Sequence, residues 1–201
     1  MLTATDICPA TLARGLTVKR RNALTATIFG GLLTALLIEA FTFKPAGFLI
    51  GILLGLLYAN AFEYFFHRFV LHPPGRTLAY YHMLHHSTWG TPDEPRYVNF
   101  ATNPLVVMLL FGLNALPLVA VEYVVRAGFA PGMMAGFVVY FVAYEEIHWR
   151  IHLGGWLPSW LEPAKRHHLM HHALAGERFN IFLPVFDWLF GPPRTVGKIN
   201  R

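Results

Sequence analysis

Four long apolar stretches alternate with polar segments along the chain. They cover residues 23–43, 46–66, 104–125 and 129–148. Each is close to the roughly 20 residues that an α-helix needs to cross the hydrocarbon core of a bilayer. Short polar links join the first stretch to the second and the third to the fourth: Lys44-Pro45-Ala46 and Arg126-Ala127-Gly128. The pattern therefore predicts two transmembrane helical hairpins, at 23–66 and 104–148.

The remaining segments are polar and basic: a leader at 1–21, a loop at 67–103 and a tail at 149–201. Together they hold 14 of the 16 lysines and arginines, and only Lys44 and Arg126 lie elsewhere. Basic segments stay on the cytoplasmic side of membrane proteins. We therefore predict an all-α polytopic membrane protein, a single domain over 1–201. Four transmembrane helices would carry a cytoplasmic helical cap, with both termini in the cytoplasm.

Composition excludes several classes of protein. Hydrophobic residues make up 55% of the chain and charged residues only 13%, whereas ordinary soluble domains are roughly 25% charged. A soluble globule or a disordered chain is therefore excluded, and the single cysteine, Cys8, excludes a disulfide scaffold. We assign the net charge of +5 to loops facing anionic lipid headgroups and expect no nucleic-acid partner.

All eleven histidines lie between His67 and His172. They form four clusters: His67 and His72; His82, His85 and His86; His148 and His152; and His168, His171 and His172, with His167 directly before the last. Residues three or four apart share one face of a helix, so each of the last three clusters can direct imidazoles to one point. His67 and His72 are five apart and precede Pro73, so the helix is predicted to end or distort there.

Neutral imidazole is the commonest metal ligand in proteins. Ten imidazoles are too many for one ion and suit two, while structural zinc sites use four ligands and often cysteine. Imidazole suits zinc, copper, iron and nickel, but an oxidative reaction needs a metal that changes its oxidation state. We expect two iron ions, which zinc can replace in purified protein because it binds such ligands more tightly.

The spacing of the four clusters resembles the integral-membrane fatty acid hydroxylase superfamily, most closely its fatty acid 2-hydroxylase branch. The matching motifs span about residues 60–192: Glu63-x3-His67-Arg68-Phe69-x2-His72; His82-x2-His85-His86 followed by Pro92-Asp93-x2-Arg96-x-Val98; Tyr144-x3-His148-x3-His152; His168-x2-His171-His172; and Phe186-Asp187-Trp188-Leu189-Phe190-Gly191. The first motif, H-x4-H, points away from the sterol oxidase branch, which typically has H-x3-H. The segment Arg178-Phe179-Asn180-Ile181 departs from the sequence that is usual at this place in the family.

The resemblance implies a di-iron oxygenase that hydroxylates a fatty acid or the acyl chain of a membrane lipid with O2 and two electrons. The 201 residues have no room for a cytochrome b5 domain, so we expect a separate electron donor of the cytochrome b5, ferredoxin or reductase type. The expected metal ligands are His67, His72, His82, His85, His86, His148, His152, His168, His171 and His172. No catalytic residue is assigned beyond the metal centre.

Three alternatives remain open at this point, one of which is a catalytically inactive scaffold that the complete set of histidines argues against. A lipid desaturase or a carotenoid or sterol hydroxylase of the same superfamily would use the same oxidant. More distantly, the clusters could belong to a membrane metal-binding or transport protein, although transporters place their ligands near the bilayer midplane.

Five further residues are candidates for supporting the metal ligands. Glu63 and Glu145 precede His67 and His148 by one helical turn, so each is expected to accept the free N–H of an imidazole. For Glu145, a hydrogen bond within the helix bundle is the alternative. Asp93 and Arg96 either order a loop that covers the metals or form a surface salt bridge. His167 is expected beside the ligands rather than among them.

Overall fold

A computed structural model describes residues 7–74 and 77–192, and this part of the chain contains helices and no strands. Residues 1–6 of the predicted leader, 75–76 of the loop and 193–201 of the tail lie outside it. The helices are α1 (Pro9–Ala40), α2 (Pro45–Phe66), α3 (Thr77–Thr88), α4 (Glu94–Tyr97), α5 (Pro104–Val125), α6 (Ala130–Leu153), α7 (Glu162–Ala173) and α8 (Val185–Phe190). A π-helix at His67–Leu71 continues α2, and a 3₁₀ turn at Ser159–Leu161 precedes α7. The fold is therefore all-α, as predicted.

Three helices in the described chain are long and apolar enough to cross a membrane: Pro9–Ala40, Pro45–Leu71 and Pro104–Val125. Helix α6 covers the fourth predicted span but carries Glu145, Glu146 and Arg150 toward its C-terminal end. Large aliphatic side chains lie exposed at helical spacing on the three apolar helices, for example Leu49, Leu53 and Leu57 on α2. Such exposed apolar faces are typical of helices that contact lipid.

The chain divides into two compact units, which we name by their content. The apolar unit consists of Val18–Ala59 and Ala101–Glu145. The histidine unit contains the described residues up to Thr17, Asn60–Phe100 and the residues from Glu146 onwards. All eleven histidines belong to the histidine unit.

Glycines determine how closely α2 and α6 approach within the apolar unit. Gly51 and Gly55 of α2 face Gly132 and Gly136 of α6, four residues apart on each helix. A Cβ atom at Gly132 would collide with the backbone carbonyl oxygen of Phe48. Small residues at this spacing let two helix backbones touch, as in many membrane helix pairs.

Glu122 is a buried carboxylate that links α5 to α6 in the same unit. It accepts hydrogen bonds from the backbone N–H groups of Gly128 at 2.7 Å, Phe129 at 2.7 Å and Ala130 at 3.0 Å. Gly128 and Phe129 directly precede α6 and Ala130 begins it. The first N–H groups of a helix have no partners within the helix. The carboxylate therefore satisfies the beginning of α6 while Arg126, with φ of 53°, reverses the chain.

Candidate metal centre

The π-helix brings the first two histidines together. A π-helix closes its hydrogen bonds between residues five apart, so it aligns side chains that an α-helix of the same sequence would separate. The imidazole centroids of His67 and His72 lie 5.0 Å apart across this turn. The distortion expected from their spacing and from Pro73 is thus a local widening of the helix that carries both ligands.

The two H-x2-H-H clusters divide their histidines between two sites. Helix α3 gives His82 and His86 to one group and His85 to the other. Helix α7 does the reverse: His171 joins the first group, while His168 and His172 join the second. Each helix therefore contributes an i, i+4 pair to one site and one side chain to its neighbour.

Group A consists of His67, His72, His82, His86 and His171, whose ligand atoms all lie within 4.8 Å of one another. The Nε2 atom of His82 is 2.9 Å from that of His67, 3.2 Å from that of His72 and 3.1 Å from that of His86. Two nitrogens bound at right angles to one ion, each at about 2.1 Å, would be about 3.0 Å apart. Group A therefore fits a metal ion with several imidazole ligands.

Group B consists of His85, His148, His152, His168 and His172, again with all ligand atoms within 4.8 Å. The Nε2 atom of His168 is 3.0 Å from that of His148, 2.9 Å from that of His152 and 3.2 Å from that of His172. Buried His85 has no hydrogen-bond partner for either ring nitrogen among the described residues. A coordinated ion would satisfy this side chain, so group B also fits a metal.

Backbone carbonyls orient two ligands of group A. The Nδ1 atom of His67 donates to the carbonyl oxygen of Phe179, and that of His171 donates to the carbonyl oxygen of Glu177 at 2.7 Å. A carbonyl oxygen only accepts hydrogen bonds, so Nδ1 carries the proton in both rings. Each Nε2 atom is then left with a lone pair directed at the other ligands, which is the arrangement that a cation stabilises.

A buried carboxylate orients one ligand of group B. Nδ1 of His152 lies 2.7 Å from Glu94 Oε1, and the backbone N–H of Gly90 donates to Glu94 Oε2 at 2.9 Å. Burial raises the pKa of Glu94 to about 7. Sequence reasoning missed Glu94, although it lies between Asp93 and Arg96 in a motif already singled out.

Burial also keeps the imidazoles in the form that binds metal. It lowers the pKa of His72 and of His86 from 6.5 to about 4. The pKa of His85 also lies well below 6.5, first because of burial and then because of the neighbouring imidazoles. These side chains are therefore neutral at pH 7, with lone pairs available to an ion.

The two predicted supporting glutamates have other hydrogen bonds. Glu63 Oε1 accepts from the backbone N–H of Ile181 at 2.7 Å, and its Oε2 accepts from the amide of Asn180 at 3.0 Å. Glu145 Oε1 accepts from the amide of Asn22 at 3.3 Å within the apolar unit. Glu63 thus binds the segment that contacts group A, and its role as an acceptor from imidazole stays a prediction.

The other three candidates lie around the same unit. Asp93 occupies the N-cap position of α4. The guanidinium of Arg96 lies 5.7 Å from the ring centre of Tyr97. His167 Nε2 is 2.9 Å from Asp187 Oδ2 and belongs to neither histidine group.

Comparison with known proteins identifies the family of this chain. The model of the fatty acid hydroxylase family matches residues 52–192, a stretch that contains every histidine. This chain belongs to the fatty acid hydroxylase family. No curated protein and no solved structure matches the chain.

Fatty acid hydroxylases are oxidoreductases of the histidine-rich, iron-dependent type, which act on lipids with O2 at a membrane. The apolar helices of this fatty acid hydroxylase are those of an integral membrane protein. Its two histidine groups are the part of the described chain that could hold the metal of such an enzyme.

Proposed function

We propose that this protein hydroxylates the acyl chain of a fatty acid or membrane lipid through a pair of iron ions. In the balanced reaction, one atom of O2 enters a C–H bond as hydroxyl. The other leaves as water after taking up two electrons and two protons. The motif spacing of the first two histidine clusters favours the fatty acid 2-hydroxylase branch of the family.

One observation carries the proposal: ten buried or half-buried imidazoles form two groups of five, each able to surround one ion. Group A would hold one ion and group B the other. Burial keeps these rings neutral. Contacts of Nδ1 with Phe179, Glu177 and Glu94 turn the Nε2 atoms of three of them, His67, His171 and His152, inward.

Iron bound there would supply the activation of O2 and the removal of hydrogen from the substrate C–H bond. Zinc also fits the imidazole ligands and can replace iron in purified protein. The residues of the chain bind the ions, fix the direction of each ring and bury the site away from bulk water.

The membrane arrangement belongs to the same proposal. Helix α6 acts as a fourth span beside the three apolar helices. The termini and histidine unit face the cytoplasm, as the distribution of basic residues indicates. A separate carrier of the cytochrome b5, ferredoxin or reductase type delivers the two electrons.

Mass spectrometry of membrane lipids tests the function. Cells that express the wild-type protein should gain a lipid species heavier by one oxygen atom. Cells that express His171→Ala (group A) or His168→Ala (group B) should not, because each variant removes a buried ligand. Metal content of the purified proteins, measured in parallel, should fall with the product.

The same experiment distinguishes the alternatives. A lipid lighter by two hydrogen atoms would replace hydroxylation by desaturation. Unchanged lipids together with altered metal uptake by the cells would overturn the proposed enzyme in favour of metal transport. Glu39→Gln is a suitable control, since this exposed carboxylate lies in the apolar unit and the variant should behave like wild type.

A further inference from the structure

Asp187 of α8 holds the backbone of a neighbouring segment. We name residues 177–181 the clamp segment. The Asp187 carboxylate accepts hydrogen bonds from the backbone N–H groups of Phe179 at 2.8 Å and Asn180 at 2.8 Å, and its Oδ2 atom lies 2.9 Å from His167 Nε2. Asp187 is only 6% exposed, so these bonds replace its hydration. A buried carboxylate with such partners fixes the groups that surround it.

A second carboxylate holds the same segment from the other side. Glu63 accepts from the backbone N–H of Ile181 at 2.7 Å and from the side-chain amide of Asn180 at 3.0 Å. That amide also donates to the carbonyl oxygen of Asn60 at 3.0 Å. The clamp segment is therefore tied to both α2 and α8 through Asn180, which is fully buried.

The backbone of the clamp segment is strained where it turns. Arg178 has φ of 67°, in the left-handed region that side chains other than glycine rarely adopt. Such a conformation persists only where the surroundings determine it. The hydrogen bonds that Asp187 and Glu63 accept hold the segment in this conformation. The N–H of Asn180 and the carbonyl of Phe179 belong to one peptide group, so Asp187 fixes the direction of that carbonyl directly. It acts on the carbonyl of Glu177 through the intervening backbone.

These two carbonyl groups are the ones that bind Nδ1 of His171 and His67. Both histidines belong to group A. Group B has different support, because Glu94 binds His152. Among the described residues, Nδ1 of His168 and Nδ1 of His172 have no hydrogen-bond partner. The hydrogen bonds that run from the clamp segment thus end at group A, and the separate contact of Asp187 with His167 involves a histidine of neither group.

We propose that Asp187 is a positioning residue for the group A ion alone, acting through the clamp segment, and that Glu94 has the corresponding role for group B. The inference rests on the proposed two-ion function. Residues that orient a metal ligand from outside typically change metal affinity by 10–100-fold. Asp187→Asn keeps the shape of the side chain but replaces one acceptor oxygen by a donor that opposes a backbone N–H.

Chelator titration of the full-length, detergent-purified protein loaded with zinc tests this selectivity. Wild type should hold about two zinc ions per chain. In Asp187→Asn, one of the two ions should leave at a 10–100-fold lower chelator concentration, and the other should leave as in wild type. Glu94→Gln should weaken one ion to a similar extent, and Glu39→Gln should weaken neither.

Double variants identify which ion responds. His171→Ala removes the group A ion and His152→Ala the group B ion. Asp187→Asn should add no further loss to His171→Ala, because the site that it supports is already gone. Combined with His152→Ala, it should weaken the remaining ion by the same 10–100-fold factor. Double-mutant comparisons separate such coupling from general destabilisation.

Three results would overturn the inference: equal weakening of both ions by Asp187→Asn, weakening of neither, or additive loss with His171→Ala. A merely structural role for Asp187 predicts the first. Failure of the proposed function would give another result. Wild type would then hold two zinc ions and respond to Asp187→Asn as expected, but cells that express it would make no hydroxylated lipid.

Discussion

Different kinds of contact stabilise the interior of each compact unit. In the apolar unit, α2 and α6 meet through glycines at positions where a Cβ atom would collide with the backbone of the other helix. In the histidine unit, Glu63, Asp187 and Glu94 are buried and each binds backbone or imidazole N–H groups. Backbone contact between glycines sets the apolar unit apart, although its buried Glu122 also binds backbone N–H groups, whereas the histidine unit has such polar contacts around its imidazoles.

This difference follows from what surrounds and fills each unit. Lipid is as apolar as leucine, so helices within a bilayer gain little by burying leucine and gain more by close backbone contact. Ten inward-facing imidazoles instead need protons, ions or acceptors, because an unsatisfied buried polar group costs about 1–3 kcal/mol. Substitutions that disturb glycine packing should therefore destabilise the apolar unit. Removal of metal or of buried polar partners should destabilise the histidine unit.

Metal removal should have the largest effect, and it should act on the histidine unit. A ligand present at a thousand times its dissociation constant stabilises the folded state by about 4 kcal/mol per site. Two ions would contribute about twice that. Chelation should lower the thermal unfolding midpoint by many degrees, and readdition of zinc should restore it. An unchanged midpoint would contradict a structural contribution from the ions.

Acidification should further destabilise the metal-free protein. The pKa of His72 and of His86 is about 4 in the folded state, against 6.5 for an ordinary histidine. Between these pH values the unfolded chain binds protons that the folded chain does not, so stability should fall as pH decreases from about 6.5. The contribution of these two residues should level off below about pH 4, as thermal unfolding at a series of pH values would reveal.

Gly132→Leu should produce the next largest effect, in the apolar unit. The new side chain would collide with the backbone at Phe48, which cannot move away as a flexible side chain could. Overpacking typically costs about 1–3 kcal/mol, and a collision with backbone belongs at the upper end of that range. The yield of monodisperse protein in size-exclusion chromatography should fall severely.

Gly112→Leu is the matched control for that variant. A Cβ atom at Gly112, in α5, has no neighbour within 4 Å, so this leucine should be accommodated at an apolar surface. Equal yields from the two variants would show that close contact between α2 and α6 is not what holds the apolar unit together.

Sequence reasoning anticipated the all-α fold, the apolar helices and the family, because hydropathy and histidine spacing are local signals. It treated each H-x2-H-H cluster as directed to one point, whereas α3 and α7 each divide their histidines between groups A and B. Helical spacing shows which residues share a face but not which partner that face meets. The first helix also begins at Pro9, inside the predicted polar leader, because polarity alone does not end a helix.

The supporting contacts were harder to predict. Phe179 and Glu177 act through their carbonyl oxygens, and a backbone atom leaves no signature in the type of side chain. His67 and Phe179 are also 112 positions apart. Glu94 had the right chemistry, but only the fold brings it to His152, 58 positions away.

Asn180→Ala should destabilise the histidine unit to an intermediate extent. It removes the amide that donates to Glu63 and to the carbonyl oxygen of Asn60, and so leaves a buried carboxylate oxygen with fewer donors. The expected cost is about 1–3 kcal/mol, measured as a lower midpoint of thermal or denaturant unfolding in detergent. A change below a few tenths of a kcal/mol would mean that water replaces the amide, and the polar network would then not be what holds this unit.

Asn103→Ala should have the smallest effect, although it too removes a side-chain hydrogen bond. Asn103 caps the beginning of α5 by accepting from the backbone N–H of Leu105 at 2.9 Å, and it is exposed. Water can replace this bond, so the loss should be about 1 kcal/mol. Asn103→Ser retains a capping oxygen and should remain close to wild type in the same unfolding measurement. If Asn103→Ala proved as damaging as Asn180→Ala, polar bonds would matter equally in both units and the contrast between them would fail.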